Sequence, residues 1–246
     1  MSNFDFTSLS IVNADGPALA VDNAPWADDG VNVKAYFGEL ASPLAYHISQ
    51  SRFVVGCCAW LTHEIVIESL GCVSGGCQVV CQKEDFLRPD ALSSRGWKAR
   101  LHGLYSSLSC SVTRHACAKV ALMPQLSVCM DEGGMQPVRC VGNHNSDRHP
   151  AFPRMHHKFL VFCDVDEDDK VDGYDPWYAW NPVPRAVWTG SFNPTANGTR
   201  SRENAIVVES KHIALAYFRE WYQMFALSEP LEWESEWCAP EYRIGT

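Results

Sequence analysis

The segment that most constrains the fold is RFVVGCCAW, residues 52–60, a nearly continuous apolar run. A run without polar alternation is typical of a central strand that is covered on both faces. Strand-like and helix-like patterns alternate around it, in the order VNVKAYF, GELASPLAYHISQS, RFVVGCCAW, HEIVIESLG and CQVVCQ. This β-α-β-α-β order predicts an α/β domain whose sheet is largely parallel at its centre.

The two helix patterns in this stretch have recognisable starts. Pro43 has to lie in the first turn of its helix, where its missing N–H costs nothing. Thr62 is a candidate N-cap for the second helix, which is expected to end at Gly71.

The chain as a whole is interpreted as an N-terminal arm, residues 1–30, followed by a single domain, residues 31–246. The arm is polar and rich in turn signals, so it is expected to be irregular. Further helices are predicted at WKARLHGLYSSL and ESKHIALAYFREWYQMFAL, and further strands at AKVALM, QPVRCVG, MHHKFLVF, AVWTGSFN and ENAIVV.

Composition restricts the choice of partners and compartment. The formal net charge of -9 argues against broad, sequence-independent attraction to nucleic acid. It leaves room for a local basic groove built from cations of the later part of the chain: Arg139, Arg148, Arg154, Lys158, Arg185, Arg200 and Arg202. The start does not resemble a signal peptide, no run is apolar enough to cross a bilayer, and eleven cysteines without an export signal indicate reduced thiols. We therefore expect a cytoplasmic protein with no integral membrane association.

Chemically active side chains are concentrated in RMHHKFLVF, TGSFNPT and EN. If the first is a strand, His156 and Lys158 share a face, roughly 7 Å apart along the strand, and His157 lies on the other face as a core or supporting residue. Gly190 permits a tight backbone before Ser191 and Asn193, which share a face, and Glu203 precedes the next strand. Lysine and asparagine donate to phosphate oxygens, and an imidazole can act as nucleophile or general acid.

HHKFLVF followed by TGSFNPT and EN resembles the phospholipase D superfamily, whose signature is H-x-K, an Asp, and G-S-x-N. The resemblance implies a mixed central sheet flanked by helices on both faces, and a phosphodiesterase that needs no metal or other cofactor. It makes His156 the nucleophile or its general-acid counterpart. It implies that Lys158 and Asn193 clamp the phosphate, that Ser191 assists, and that Glu203 orients His156. Since the family mechanism uses two histidines and the chain carries one motif, it also implies a homodimer.

The sequence departs from the family pattern at the Asp and in the stretch before TGS, which is much longer than the family's usual short turn, and it adds two cations. The family Asp should lie five residues after the Lys, where this chain has Cys163, and a β-bulge would be needed to bring Asp164 into place. Arg200 and Arg202 flank the EN strand and are expected to bind the substrate's phosphates; balancing the acidic loop is the alternative.

Several interpretations remain open at this level. The substrate is expected to be DNA or RNA, with a phospholipid hydrolase and a non-catalytic nucleic-acid-binding protein as the alternatives. The acidic segment with Asp164, Asp166 and Asp168 is interpreted as a solvated turn rather than a calcium loop. WYAW, residues 177–180, either stacks on bases or packs on its own domain. Cys72, Cys77 and Cys81 are interpreted as small apolar residues in preference to zinc ligands.

Overall fold

The computed structural model describes residues 25–28, 31–88, 96–110, 115–120, 123–129, 136–144, 152–166 and 181–240. These residues form four α-helices: α1 (Ala41–Ser49), α2 (Glu64–Gly71), α3 (Trp97–Ser106) and α4 (Lys211–Ala226). They also form ten strands: β1 (Pro25–Asp28), β2 (Val31–Phe37), β3 (Phe53–Cys58), β4 (Cys77–Gln82), β5 (His115–Val120), β6 (Met123–Cys129), β7 (Val138–Val141), β8 (Lys158–Asp166), β9 (Asn181–Gly190) and β10 (Asn204–Glu209).

Eight of these strands form one mixed sheet in the order β1-β2-β10-β9-β8-β3-β4-β7. Only β3/β4 and β4/β7 are parallel among its pairs. The expectation of a largely parallel centre is therefore wrong. The α2 crossover does place β4 parallel to β3, but β2 and β3 are not neighbours. Three later strands lie between them, and β8 is antiparallel to β3.

The sheet is covered by helices on both faces, as the resemblance implied. On one face, α1, α2 and α3 bury Leu44, Ile67 and Leu101 against the sheet. On the other face, α4 buries Trp221 and Phe225. The strand β3 is buried along its whole length, which confirms that RFVVGCCAW is a central strand.

Three local expectations differ from the structure. His63, and not Thr62, is the N-cap of α2, and its side chain makes no capping hydrogen bond; the Thr62 and His63 N–H groups both donate to the Pro194 carbonyl. The predicted AKVALM strand falls across the end of β5 and the start of β6, which pair as a separate two-stranded sheet. The predicted irregular arm contains β1, which pairs with β2; residues 1–24 lie outside the described part.

The solvated turn that the sequence predicts at Asp164 and Asp166 is wrong, because β8 continues through Asp166 and both residues lie in a strand paired with β9. Asp168 and WYAW lie outside the described residues. Cys77 and Cys81 are buried in β4 and Cys72 is exposed. In the part of the chain that the structure describes, no group of three metal-ligating side chains converges, and no helix is long and apolar enough to cross a membrane.

Candidate active site

His156 lies just before β8, and Lys158 is the first residue of that strand. The pair therefore does not lie within one strand as predicted, and the two side chains are in direct contact instead of roughly 7 Å apart. Lys158 folds back, and its Nζ lies 2.9 Å from the His156 carbonyl oxygen and 3.2 Å from His156 Nδ1. An ammonium only donates, so Nδ1 accepts, and a neutral imidazole in this arrangement carries its proton on Nε2.

Burial and neighbouring cations set the protonation of this pair. Burial lowers the pKa of His156, and the nearby charges of Lys158 and Arg154 lower it further. Burial also lowers the pKa of Lys158, against the opposing effects of Cys58 and Glu203. His156 is thus neutral at neutral pH, and it lies among cations that favour a bound anion.

The turn after β9 places Ser191 and Glu203 together. A Cβ at Gly190 would lie 2.2 Å from the Asn204 carbonyl oxygen, so the close approach of β9 and β10 requires a glycine there. Ser191 N–H donates to that carbonyl at 3.0 Å, and Asn204 N–H donates to Ser191 Oγ at 3.1 Å. The Ser191 hydroxyl in turn donates to the Glu203 carboxylate. Glu203, expected to orient His156, is hydrogen-bonded to Ser191 instead, while Lys158 occupies His156 Nδ1.

Asn193 contributes a side-chain amide whose oxygen has no hydrogen-bond partner. The side-chain Oδ1 of Asn193 is also buried. Its main-chain carbonyl accepts from Thr195 N–H at 2.7 Å, which fixes the turn. A buried amide oxygen without a partner is costly, so a ligand that supplied a donor would be favoured here.

Three residues beside His156 form a supporting cluster. The Trp60 ring meets the His156 ring edge-on, with centroids 6.1 Å apart. Glu84 accepts from Trp60 Nε1 at 3.1 Å and from the Arg154 guanidinium at 3.0 Å. The Arg154 guanidinium also lies over the Trp60 ring, 5.7 Å from its centroid. These contacts hold the Trp60 indole against the His156 ring.

Trp60 and Glu84 were not identified from the sequence, although their positions just after two predicted strands could have indicated them. Each lies two residues past the end of its strand, β3 and β4, and these strands are parallel neighbours. The carboxyl ends of parallel strands meet at one edge of a sheet, which is where ligands bind in α/β proteins.

A cleft of about 400 Å³ opens beside this cluster. Asn193 and Glu203 contribute polar groups to its wall, and Trp60, Phe86 and Trp97 contribute aromatic rings. It combines apolar walls with a few polar groups, as small-molecule sites generally do.

Other predicted residues are farther from this site or play a different part. Asp164 lies six residues beyond Lys158 on β8, roughly 20 Å away along an extended strand. The pairing of β8 with β9 is irregular between Phe162 and Cys163, yet the Asp164 carboxylate pairs with Arg185 Nε at 3.6 Å. It does not reach His156.

The remaining cations and the second histidine have distinct positions. Arg200 and Arg202 are exposed on either side of Ser201, which lines the cleft. Arg139 is buried and donates to Ser228, so it belongs to no surface groove. His157 lies on the α4 side and pairs with Glu220 at 3.1 Å; it faces away from His156 as expected, but it is exposed rather than in the core.

The fold and this constellation define an α/β protein with a histidine-lysine pair at the edge of a mixed sheet. No protein-family model matches the chain. Over 214 residues, 83% of this chain and 69% of the relative, it is 30% identical to "Uncharacterized protein L381" of Acanthamoeba polyphaga mimivirus. The chain belongs to the family of that mimivirus protein.

Three solved structures are similar in part. Nuc from Salmonella typhimurium, described as a phospholipase D family member, has a TM-score of 0.46 and 15% identity, over 81% of this chain and 97% of that one. NucT from Helicobacter pylori has a TM-score of 0.48 and 12% identity, over 80% and 98%. Phosphatidylserine synthase from Haemophilus influenzae Rd KW20 has a TM-score of 0.37 and 12% identity, over 84% and 39%. At TM-scores below 0.5 these likenesses carry no weight for the site, which rests on its own geometry.

Proposed function

We propose that this protein is a metal-independent phosphodiesterase of the phospholipase D type that cleaves DNA or RNA. The observation that carries the proposal is the contact between a neutral imidazole and an ammonium, His156 Nδ1 to Lys158 Nζ, next to the Trp60 ring that lines the cleft. This arrangement joins a potential nucleophile to a cation that suits a phosphate oxygen. The motif resemblance adds the expected reaction.

The first step is binding of the scissile phosphate. Lys158 turns from His156 to a non-bridging phosphate oxygen, and the Asn193 amide donates to another. Once Lys158 has left Nδ1, the imidazole can carry its proton there and expose the Nε2 lone pair. Ser191 and Glu203 hold the turn that presents Asn193, through the hydrogen bond between them.

The second step is displacement at phosphorus. Nε2 of His156 attacks, a P–N bond forms, and the P–O bond to the leaving group breaks. A second histidine, which becomes protonated because the bound phosphate anion raises its pKa, gives its proton to the leaving oxygen. Water then attacks phosphorus, the P–N bond breaks, and the water proton passes to the second histidine, which restores both residues.

The chain carries one H-x-K segment, so we propose that the second histidine is His156 of the partner subunit in a homodimer. Arg200 and Arg202 would bind flanking phosphates at the mouth of the cleft. The free thiols among the described residues suit a reducing compartment such as the cytoplasm.

The experiment compares wild type, His156→Ala and His157→Ala on single-stranded DNA, RNA and phospholipid vesicles, all in excess EDTA. His157 is the matched control because it adjoins His156 but faces α4. We expect nucleic-acid cleavage by wild type and His157→Ala and none by His156→Ala. Cleavage abolished by EDTA, or retained in His156→Ala, contradicts the proposal, and turnover of phospholipid alone transfers it to a lipid hydrolase.

A subunit-mixing experiment tests the shared site. Heterodimers of wild type and His156→Ala, purified through two different tags, have one histidine at the two-fold axis and should be inactive. Half of the wild-type activity in the heterodimer would show that each subunit works alone.

A further inference from the structure

The cleft beside His156 has aromatic walls from three separate parts of the chain. Trp60 follows β3, Phe86 lies in the short 3₁₀ helix Asp85–Leu87, and Trp97 begins α3. The Phe86 and Trp97 rings lie 5.7 Å apart at an angle of 45°. Trp97 is 58% exposed, so one of the largest apolar side chains is left facing solvent at the cleft rather than buried in the core.

The aromatic walls adjoin the proposed phosphate site. Trp60 lines the cleft and also contacts the His156 ring, and Asn193 lines the cleft as well. Because Trp60 lies between the two, a ligand with its reactive phosphate at His156 and Lys158 could extend past Trp60 and place its remaining part among the rings. A nucleotide has this composition, since a flat aromatic base is joined to a phosphodiester.

We infer that this cleft is a base-binding subsite, in which Trp97, Phe86 and Trp60 receive an unpaired nucleobase adjacent to the scissile phosphate of a single-stranded nucleic acid. The inference rests on the proposed function and deepens it by naming the substrate class. Stacking between bases and aromatic side chains is largely independent of base identity, so the subsite distinguishes unpaired from paired bases more than one base from another.

Polar groups in the cleft favour a base over the hydrocarbon part of a lipid. Thr62, Asn193, Asn197 and Glu203 lie among the rings, and their polar atoms would lose hydration against an acyl chain. The edges of a base can hydrogen-bond to the same groups. The buried Asn193 Oδ1, which has no partner, would accept from an amino or imino group of a base.

A cationic headgroup such as choline fits less well. One cation, the Arg154 guanidinium, already lies over the Trp60 ring at 5.7 Å. A choline would have to share the face of Trp60 with the Arg154 guanidinium, whereas that guanidinium does not repel a neutral base. The cations of Arg154 and Lys158, beside Trp60 and His156, suit the phosphates next to a base.

The unpaired state follows from the position of the subsite. A base in a duplex is stacked between its neighbours, so it reaches such a cleft only after unstacking and unpairing, which costs free energy that a single strand does not require. Single strands should therefore be both bound and cut in preference to duplexes.

The test measures binding separately from cleavage, in the His156→Ala background and in EDTA. The probes are fluorescein-labelled oligo(dT) and an oligomer of the same length with abasic tetrahydrofuran sites, which keeps the phosphates and removes the bases. Fluorescence anisotropy gives the dissociation constants. We expect oligo(dT) to bind roughly tenfold or more tightly than the abasic oligomer, from one stacked base.

Substitutions then locate the preference. Trp97→Ala should abolish it, so that both oligomers bind equally, and Trp97→Phe should keep most of it. Because Trp97 is exposed at a helix start, its loss should leave the thermal unfolding midpoint nearly unchanged. Tyr46→Ala, which removes another exposed aromatic residue outside the cleft, is the matched control and should change nothing.

The possible results separate this inference from the proposed function. Equal binding of both oligomers by the intact cleft, or a base preference that survives Trp97→Ala, overturns the subsite. Capture of phosphatidylcholine vesicles that is lost in Trp97→Ala, without a base preference, transfers the cleft to a choline headgroup. A base preference in a protein that cleaves nothing keeps the subsite and rejects the phosphodiesterase, and cleavage without a base preference does the reverse.

Discussion

Replacing Lys158 by Met tests the centre of the proposed mechanism. Methionine keeps the length and most of the apolar stem of lysine but removes the ammonium that contacts His156. Lys158 is half-buried, so its charge is only partly screened by water. At an effective dielectric constant of about 20, two unit charges about 4 Å apart attract by about 4 kcal/mol.

That attraction is an upper limit for the loss, because Arg154 and Asn193 remain near the phosphate. Deleting one preorganised donor to a developing charge in enzymes costs about 10²–10³ in kcat, or about 3–4 kcal/mol. We therefore expect kcat/KM for single-stranded DNA to fall by about 10²–10³ in Lys158→Met. The assay is initial-rate cleavage of a labelled oligonucleotide in EDTA at neutral pH.

The same variant makes a second, independent prediction about His156. Lys158 is the largest of the charges that lower the pKa of this imidazole, after burial itself. The pKa of His156 should therefore rise in Lys158→Met, and proton-carbon NMR titration of the ring would follow it. Activity within tenfold of wild type, or an unchanged or lower pKa, would refute the assigned contact between ammonium and imidazole.

Three further predictions concern stability. Burial, with Lys34 adding, lowers the pKa of His47 from 6.5 to about 4, so the unfolded chain binds the extra proton first as pH falls. Stability should then be lost progressively from pH 6.5 to about 4, by roughly 3 kcal/mol in all, and urea unfolding should show that His47→Leu removes this slope. Glu229 pairs with the fully buried Lys83 ammonium at 2.6 Å, so Glu229→Ala should lower the free energy of unfolding by about 3–5 kcal/mol. The double variant Glu229→Ala/Lys83→Met should recover part of this loss, because no buried charge is then left unpaired. A double variant as unstable as Glu229→Ala would contradict the pairing. Gly190→Ala should destabilise by about 1–3 kcal/mol through its clash with β10, while Gly103→Ala, with nothing within 4 Å of its new Cβ, should be neutral or stabilising in thermal melts.

Local patterns determined much of the fold in advance. The continuous apolar run of β3 and the helical periodicity of α4 each depend on residues within one segment, so both were predictable. The order of strands was not, because the insertion of β8, β9 and β10 between β2 and β3 is a long-range choice. A β-α-β rhythm fixes only the strands that it directly connects.

The reactive side chains could be identified from the sequence, because the histidine and lysine of H-x-K and the glycine, serine and asparagine of G-S-x-N stand at set spacings. The contacts that these side chains make depend on how the strands and helices pack. Lys158 folds back on His156 because the strand begins one residue after His157, and Glu203 meets Ser191 because β9 and β10 approach closely at Gly190. Trp60, Phe86 and Trp97 are separated along the chain and meet in one cleft only when β3, the turn after β4 and α3 are packed together. The spacing of residues along a strand determines which side chains lie on the same face. Contacts between strands and helices depend on packing, which no single segment encodes.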